Sequence, residues 1–148
     1  MSNHNSPYIV GFTGTRIGMS STQNSTISNF LRSRNDIQAV HHGDCIGSDM
    51  QFHNLVRLHL PNVKIIIHPP IKDVYRAFCE GDEILEPKHY LDRNIDIVTS
   101  SNLIIATPKS LTQRGGTWFT IHEAWANSIP TLIINIDGTL VSQDWEVI

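Results

Sequence analysis

Leu103-Ile104-Ile105-Ala106-Thr107-Pro108 runs through a short polar loop into Arg114-Gly115-Gly116-Thr117-Trp118. An apolar run closed by proline reads as a buried strand, and Trp118, Ile121 and Trp125 recur beyond the loop at helical spacing. Strand, glycine-containing loop and helix start, in that order, build a backbone nest for an anion. The first N–H groups of a helix lack intrahelical partners, glycine lets the chain approach a ligand closely, and arginine adds a fixed charge. Two more junctions share this make-up, Gly11-Phe12-Thr13-Gly14-Thr15-Arg16 and His42-Gly43-Asp44-Cys45-Ile46-Gly47-Ser48. Three phosphate-friendly loops in 148 residues point to a nucleotide-type ligand.

Outward from that junction, apolar runs alternate with helical patterns, which predicts a parallel sheet covered on both faces. Strands are expected over residues 8–12, 37–41, 63–67, 102–106 and 131–135. Ser20 and Gln23 have capping-box spacing, so a first helix starts there and runs through Phe30 and Leu31. Ser48 and Gln51 repeat that spacing ahead of Phe52, Leu55, Val56 and His59, which predicts a second. Residues 71–88 are irregular, with a short helix expected around 74–79. A third helix opens near Tyr90, with Leu91, Ile95 and Val98 on one face, and a fourth follows Thr117. The tail after Gly138 is ambiguous, with Trp145 expected to pack back on the body. The fold class is α/β: a Rossmann-like three-layer sandwich, one domain over residues 1–148, with a mainly parallel sheet of about five strands.

Composition narrows the function. The net charge is -3, whereas a general nucleic-acid binder presents a basic face, so nucleic acid is not the expected partner. Cys45 and Cys79 are the two cysteines, in no metal or redox spacing, as suits a reduced cytoplasmic protein. No apolar run reaches the length of a membrane span, and the N-terminal residues lack the pattern of a signal peptide.

In an open parallel sheet, ligands bind at the carboxyl ends of the strands near the point where strand order reverses. On that edge Arg16 and Arg114 are the natural phosphate cations, with Thr13, Thr15 and Thr117 as hydroxyl donors. The bland alternative is that Gly14 and Gly116 only shape turns. Asp44 is placed to accept ribose hydroxyls or to cap a turn. His68-Pro69-Pro70 forms a pocket wall or simply ends a strand. Arg93 either turns toward a ligand phosphate or pairs with Asp92 or Asp96. Trp118 either stacks on a base or joins Ile121 and Trp125 in a core or subunit interface, which makes a homo-oligomer, dimer or tetramer, an expectation. His41, His42, Asp44, Cys45, Asp49 and His53 invite a metal reading. Strand alternation sends His41 and His42 to opposite sides, however, and no standard zinc spacing appears, so no metal and no cofactor are expected.

The three junctions, together with Ile67-His68-Pro69-Pro70 and Tyr90-Leu91-Asp92-Arg93-Asn94, resemble a stand-alone member of the SLOG superfamily. That superfamily takes in DNA-processing (Smf) proteins, LOG-type phosphoribohydrolases and sensor domains for nucleotide-derived signals. The resemblance spans residues 8 to about 138. It implies a Rossmann-like fold and a nucleotide-derived ligand, ADP-ribose-like or cyclic, at the glycine loops. The residues it marks for binding are Gly11, Thr13, Gly14, Thr15, Arg16, Gly43, Asp44, Gly47, Ser48, His68, Pro69, Arg93, Asn94, Thr107, Pro108, Arg114, Gly115, Gly116, Thr117 and Trp118.

The departures are informative. LOG-type enzymes follow their Gly-Thr closely with a glutamate that acts at the N-glycosidic bond, where this chain has Trp118, Phe119 and Thr120. Glu123 is the nearest acid, roughly 9 Å further along the helix. A carboxylate near the anomeric carbon is the usual stabiliser of glycosidic cleavage. The resemblance therefore implies a sensor or sequestering protein. The alternative is an N-glycosidase that uses Asp44 or Glu123.

Overall fold

The β-branched runs become the centre of one sheet. In the computed structural model, which describes residues 7–143, the chain order is β1 (Tyr8–Gly14), α1 (Ser21–Arg32), β2 (Ile37–His42), α2 (Ser48–His59), β3 (Lys64–Ile67), β4 (Glu83–Ile84), α3 (Tyr90–Thr99), β5 (Leu103–Thr107), α4 (Gly115–Ala126), β6 (Thr131–Ile134) and β7 (Leu140–Gln143). The sheet order is β4-β3-β2-β1-β5-β6-β7, parallel throughout except for the antiparallel β6–β7 pair. The five expected strands are its interior. The two additions are the edges, a two-residue β4 too short and too exposed to announce itself, and β7, which returns through a turn closed by Gly138 N–H donating to Asn135 O (2.8 Å). Trp145 lies outside the described residues. Where residues 74–79 suggest a short helix, the chain makes a single 3-10 turn over Asp73–Tyr75.

Alternation along the strands sorts the two core layers. Val10 and Phe12 of β1 and Leu103 and Ile105 of β5 pack with Ile27 and Leu31 of α1 and Phe52 and Val56 of α2. Ile104 packs with Ile97 and Val98 of α3 and Ala124 of α4, and Ala106 with Trp118 and Ile121 of α4. Phe12 and Phe52 stack in parallel, ring centroids 4.4 Å apart, and seat α2 against β1. The Ser20 capping box forms as the sequence predicts. That at Ser48 does not. Gly47, at φ 90°, takes the N-cap position of α2, Ser48 becomes the first helical residue, and no side chain caps the helix. Gln51 instead accepts the Met19 N–H at 2.7 Å.

Strand order reverses between β1 and β5, whose chain neighbours lie on opposite sides. With α1 and α2 on one face of the sheet and α3 and α4 on the other, the carboxyl ends of β1 and β5 form the switch point at which open α/β sheets place their ligand crevice.

Candidate functional site

At that crevice Gly14 and Thr107 are register partners. A Cβ added to Gly14 would lie 2.4 Å from Ser48 Cβ and 2.5 Å from Thr107 Oγ1, so only glycine admits the first turn of α2 this close to β1. The hydroxyls of Ser48 and Thr107, 2.9 and 2.5 Å from that Cβ point, and of Thr15, the next residue after β1, are buried with no hydrogen-bond partner among the described residues. Buried hydroxyls in native proteins nearly always have one, and three orphans at the ends of β1, β5 and α2 mark a functional locus. Ser48 is free because Gly47 took the cap, and its own N–H donates to Thr15 O at 3.0 Å. Gln23 holds the neighbouring strand ends in place by donating to Pro108 O (3.0 Å) and Ile134 O (2.8 Å).

On the other face, α4 begins at Gly115, two residues earlier than its pattern suggests. Arg114 is its N-cap residue, exposed, with no side-chain cap bond and no acid in the first turn. Gly115 has φ +88°, and nothing lies within 4 Å of the point its Cβ would occupy, so this helix end is open. Gly116 faces the Tyr90 ring and Asn94 Nδ2 at 3.8 and 4.0 Å from its Cβ point. Thr117 is buried in the same turn. Thr13, on the strand face that packs Ala106 against α4, is also buried.

Several expected binding residues have interior tasks. Arg93 neither faces solvent nor pairs with Asp92 or Asp96. It is buried, and its guanidinium donates to Gly43 O (2.6 Å), His68 O (2.9 Å), Asn94 Oδ1 (2.6 Å) and Cys45 Sγ (3.2 Å). The fork ties the ends of β2 and β3 to α3, and Gly43 is glycine because a Cβ would sit 2.3 Å from Arg93 Nη1. Gly11 is in mid-strand under Ile97 and Ser101, away from the crevice. Trp118 is 6% exposed, with its Nε1–H donating to Ser110 O, and Trp125 donates to Thr131 Oγ1. Trp118 and Ile121 are therefore core, Trp125 is partly buried against them, and the Trp118 indole faces the interior. Of the apolar surface that motivated an oligomer, Trp118 and Ile121 are buried within the chain and Trp125 is partly buried. Arg16 is exposed and stacks over the Tyr75 ring, 4.1 Å from its centroid. Pro69 and Pro108 are buried behind the strand ends, as is His68.

Asp44, fully buried at φ 58°, is occupied. Its Oδ2 receives Arg76 Nε and Nη2, each at 2.9 Å, and its Oδ1 accepts the Cys79 N–H at 2.9 Å. Its carboxylate latches residues 76–79 to the end of β2 and is turned neither to a ribose nor to a local cap. Glu123 stays two helical turns beyond Gly116, half-buried. Asp49 is buried at the start of α2, accepts the Cys45 N–H at 3.1 Å, and is pushed up to about 6 by burial.

The histidines divide as alternation predicts. His41 Nδ1 meets His68 Nε2 at 2.7 Å, and His42 Nε2 meets His53 Nδ1 at 2.9 Å. Burial holds His41 and His68 down at about 4, and pushes His42 well below its ordinary value. His42, His53 and Cys79 each bring one possible ligand atom within 4.8 Å of the others, close enough to suggest a metal. The donor inventory argues otherwise. His42 Nδ1 accepts the Asp44 N–H at 2.9 Å, so the proton of the neutral ring sits on Nε2, the atom a metal would need. Ligating histidines donate their second N–H; this one accepts. The Cys79 thiol, pushed up to about 12 by burial and by Asp44, is a poor source of thiolate. His42 and His53 are a hydrogen-bonded pair, with Cys79 half-buried beside them.

No protein-family profile matches the chain, and no curated protein matches it by sequence. Solved structures do match by shape. The molybdenum cofactor binding protein from the phototrophic bacterium Rippkaea orientalis superposes with a TM-score of 0.68 at 18% identity, over 88% of this chain and 77% of that one. The molybdenum cofactor carrier protein from Chlamydomonas reinhardtii gives 0.63 at 15%, over 86% and 76%. DNA processing protein A from Streptococcus pneumoniae gives 0.65 at 16%, over 88% of this chain and 50% of that one. At these identities the likeness is one of fold: the chain shares a Rossmann-like architecture with all three.

Proposed function

We propose that this chain belongs with the SLOG proteins and binds a phosphate-bearing, nucleotide-derived small molecule at the β1–β5 crevice, holding it intact as a sensor or sequestering protein. The observation that carries the reading is the set of orphaned hydroxyls, those of Ser48 and Thr107 against Gly14 and that of Thr15 next to it in the chain. Neutral donors at the end of a parallel sheet, beside a helix with no side-chain cap, suit phosphate oxygens, which accept from all of them. Retention without cleavage is supported by the acids. Asp44 is consumed by Arg76 and the Cys79 N–H, and Glu123 is two turns from the open end of α4.

A second reading, carriage of a phosphorylated cofactor of the molybdenum-cofactor type, is favoured by the folds it resembles. One experiment separates the readings. Purified protein is denatured and the released small molecules are identified by mass spectrometry. A nucleotide supports the first reading, a pterin phosphate the second. Free base and sugar phosphate accumulating from added nucleotide would instead install the N-glycosidase.

A further inference from the structure

We infer that two copies of the chain pair through the outer face of α2, with Asn54 on a two-fold axis and Met50 of each copy against Leu58 of the other, whatever ligand the crevice holds. Ile46, Met50, Asn54 and Leu58 recur every four residues, so they form one ridge from the loop before α2 to its last turn. All four are exposed, Ile46 by 43%, Met50 by 39% and Leu58 by 71%. The solvent-facing stripe of a helix ordinarily carries charge, and this one carries none. The charges of α2 lie elsewhere. Asp49 is buried and accepts the Cys45 N–H, while Arg57 is half-buried and turned to Asp82 (3.2 Å) and Glu80 O (2.9 Å).

The apolar surface widens at the amino end of the ridge. Gly47 lies against Arg16 O and Gly18 against the Gln51 side chain, so Ile17, 78% exposed, is carried beside the first turn of α2. On the other side the Ile46 N–H donates to Tyr75 O at 3.0 Å, which brings the exposed Val74 and Tyr75 alongside. Exposed apolar residues scattered singly are ordinary; gathered along one helix they mark an association surface.

Self-complementarity selects the occupant. A two-fold interface sets a surface against itself, so any charge on it meets its own copy, and an uncharged ridge meets no such repulsion. The Asn54 amide has both donor and acceptor, neither with a partner among the described residues, and two such amides across a two-fold satisfy each other. A lone asparagine in an apolar seam also fixes register, because a slip leaves it facing methylenes. Helix macrodipoles favour the antiparallel crossing, which sets Met50 against the partner's Leu58 on both sides of the axis. Ser48 of the hydroxyl set shares the first turn of α2 with Met50, so the interface adjoins the crevice.

The test is sedimentation equilibrium of the purified whole chain over a dilution series. The native chain is expected at twice its 16.7 kDa. Met50→Lys and Leu58→Glu, both at exposed positions, should keep the native circular dichroism spectrum while each weakens self-association about a hundredfold, the effect of burying an unpaired charge. Mixing the two variants should restore a dimer, since the lysine of one then faces the glutamate of the other. Leu111→Glu, equally exposed but on the loop after β5, should leave the native dimer intact. A native chain that stays monomeric overturns the inference and assigns the ridge to a different partner. A dimer that survives both substitutions, or a mixture of the variants that stays monomeric, overturns it as well.

Discussion

Thr107→Val separates stability from binding at one atom. Thr107 is 1% exposed in β5 and its Oγ1 has no partner among the described residues, so the folded protein carries an uncompensated desolvation penalty. Burying a hydroxyl unpaired costs about 1–3 kcal/mol, and valine replaces it with a methyl group of nearly the same shape. We expect the free variant to be more stable by about 1 kcal/mol, which raises the melting temperature by roughly 2–4 °C in a domain of this size. Thr131 is the matched control: also in a strand and also 1% exposed, but its Oγ1 accepts Trp125 Nε1–H at 3.0 Å. Thr131→Val strands that donor and should lose about 1–2 kcal/mol. Ligand reverses the first result. A tenfold loss of affinity removes about 1.4 kcal/mol of ligand-linked stabilisation, so under saturating ligand the Thr107→Val advantage disappears. Urea unfolding with and without the released ligand measures both quantities. If Thr107→Val destabilises the free protein as Thr131→Val does, the hydroxyl is satisfied within the fold and the argument from orphaned donors collapses.

Acid should weaken the fold. His41, His42 and His68 have folded values lowered by burial, so their stability contribution is complete above about 6.5 and declines as pH falls toward about 4. Asp49, raised to about 6, works in the opposite sense below that pH. His41 and His68 each contribute about 1.3 kcal/mol between pH 7.5 and 5.5, His42 acts in the same direction, and Asp49 returns about 1 kcal/mol. Discounted for solvent at His41, the net loss is at least about 1 kcal/mol, read by calorimetry; a flat profile contradicts the buried pairs. Arg93→Ala leaves Gly43 O and His68 O without their donor and should cost more than about 3 kcal/mol in urea unfolding. Trp118→Phe should leave ligand affinity within about twofold, since the indole lies in the core, while losing about 1 kcal/mol of stability with its bond to Ser110 O.

The elements were legible where a local rule governs them. The Ser20–Gln23 box forms because both partners sit within one turn. The runs at residues 63–67 and 102–106 become strands because continuous β-branched stretches suit a sheet buried on both faces. The Ser48–Gln51 box carried the same signal and failed, because Gly47 at φ 90° was available as the cap and Met19, 32 residues from Gln51, supplied a better donor. Arg93 looked like a phosphate cation because its partners are backbone carbonyls up to 50 residues away, and carbonyls leave no trace in a sequence. Asp44 beside a glycine looked like a turn cap because its partner, the Arg76 side chain, lies 32 residues on, beyond the reach of any local rule.

By itself, then, the amino-acid order determined the alternation of strand and helix, the parallel sheet and the three glycine junctions, since each rests on periodicity and turn chemistry within a few residues. Only the tertiary structure decided that β1 and β5 are neighbours, that Gly14, Ser48 and Thr107 therefore meet, and that Arg93 turns inward to tie the ends of β2 and β3 to α3. Those outcomes depend on which buried donors find acceptors once the two layers have packed, a competition among residues far apart in sequence that no local pattern encodes.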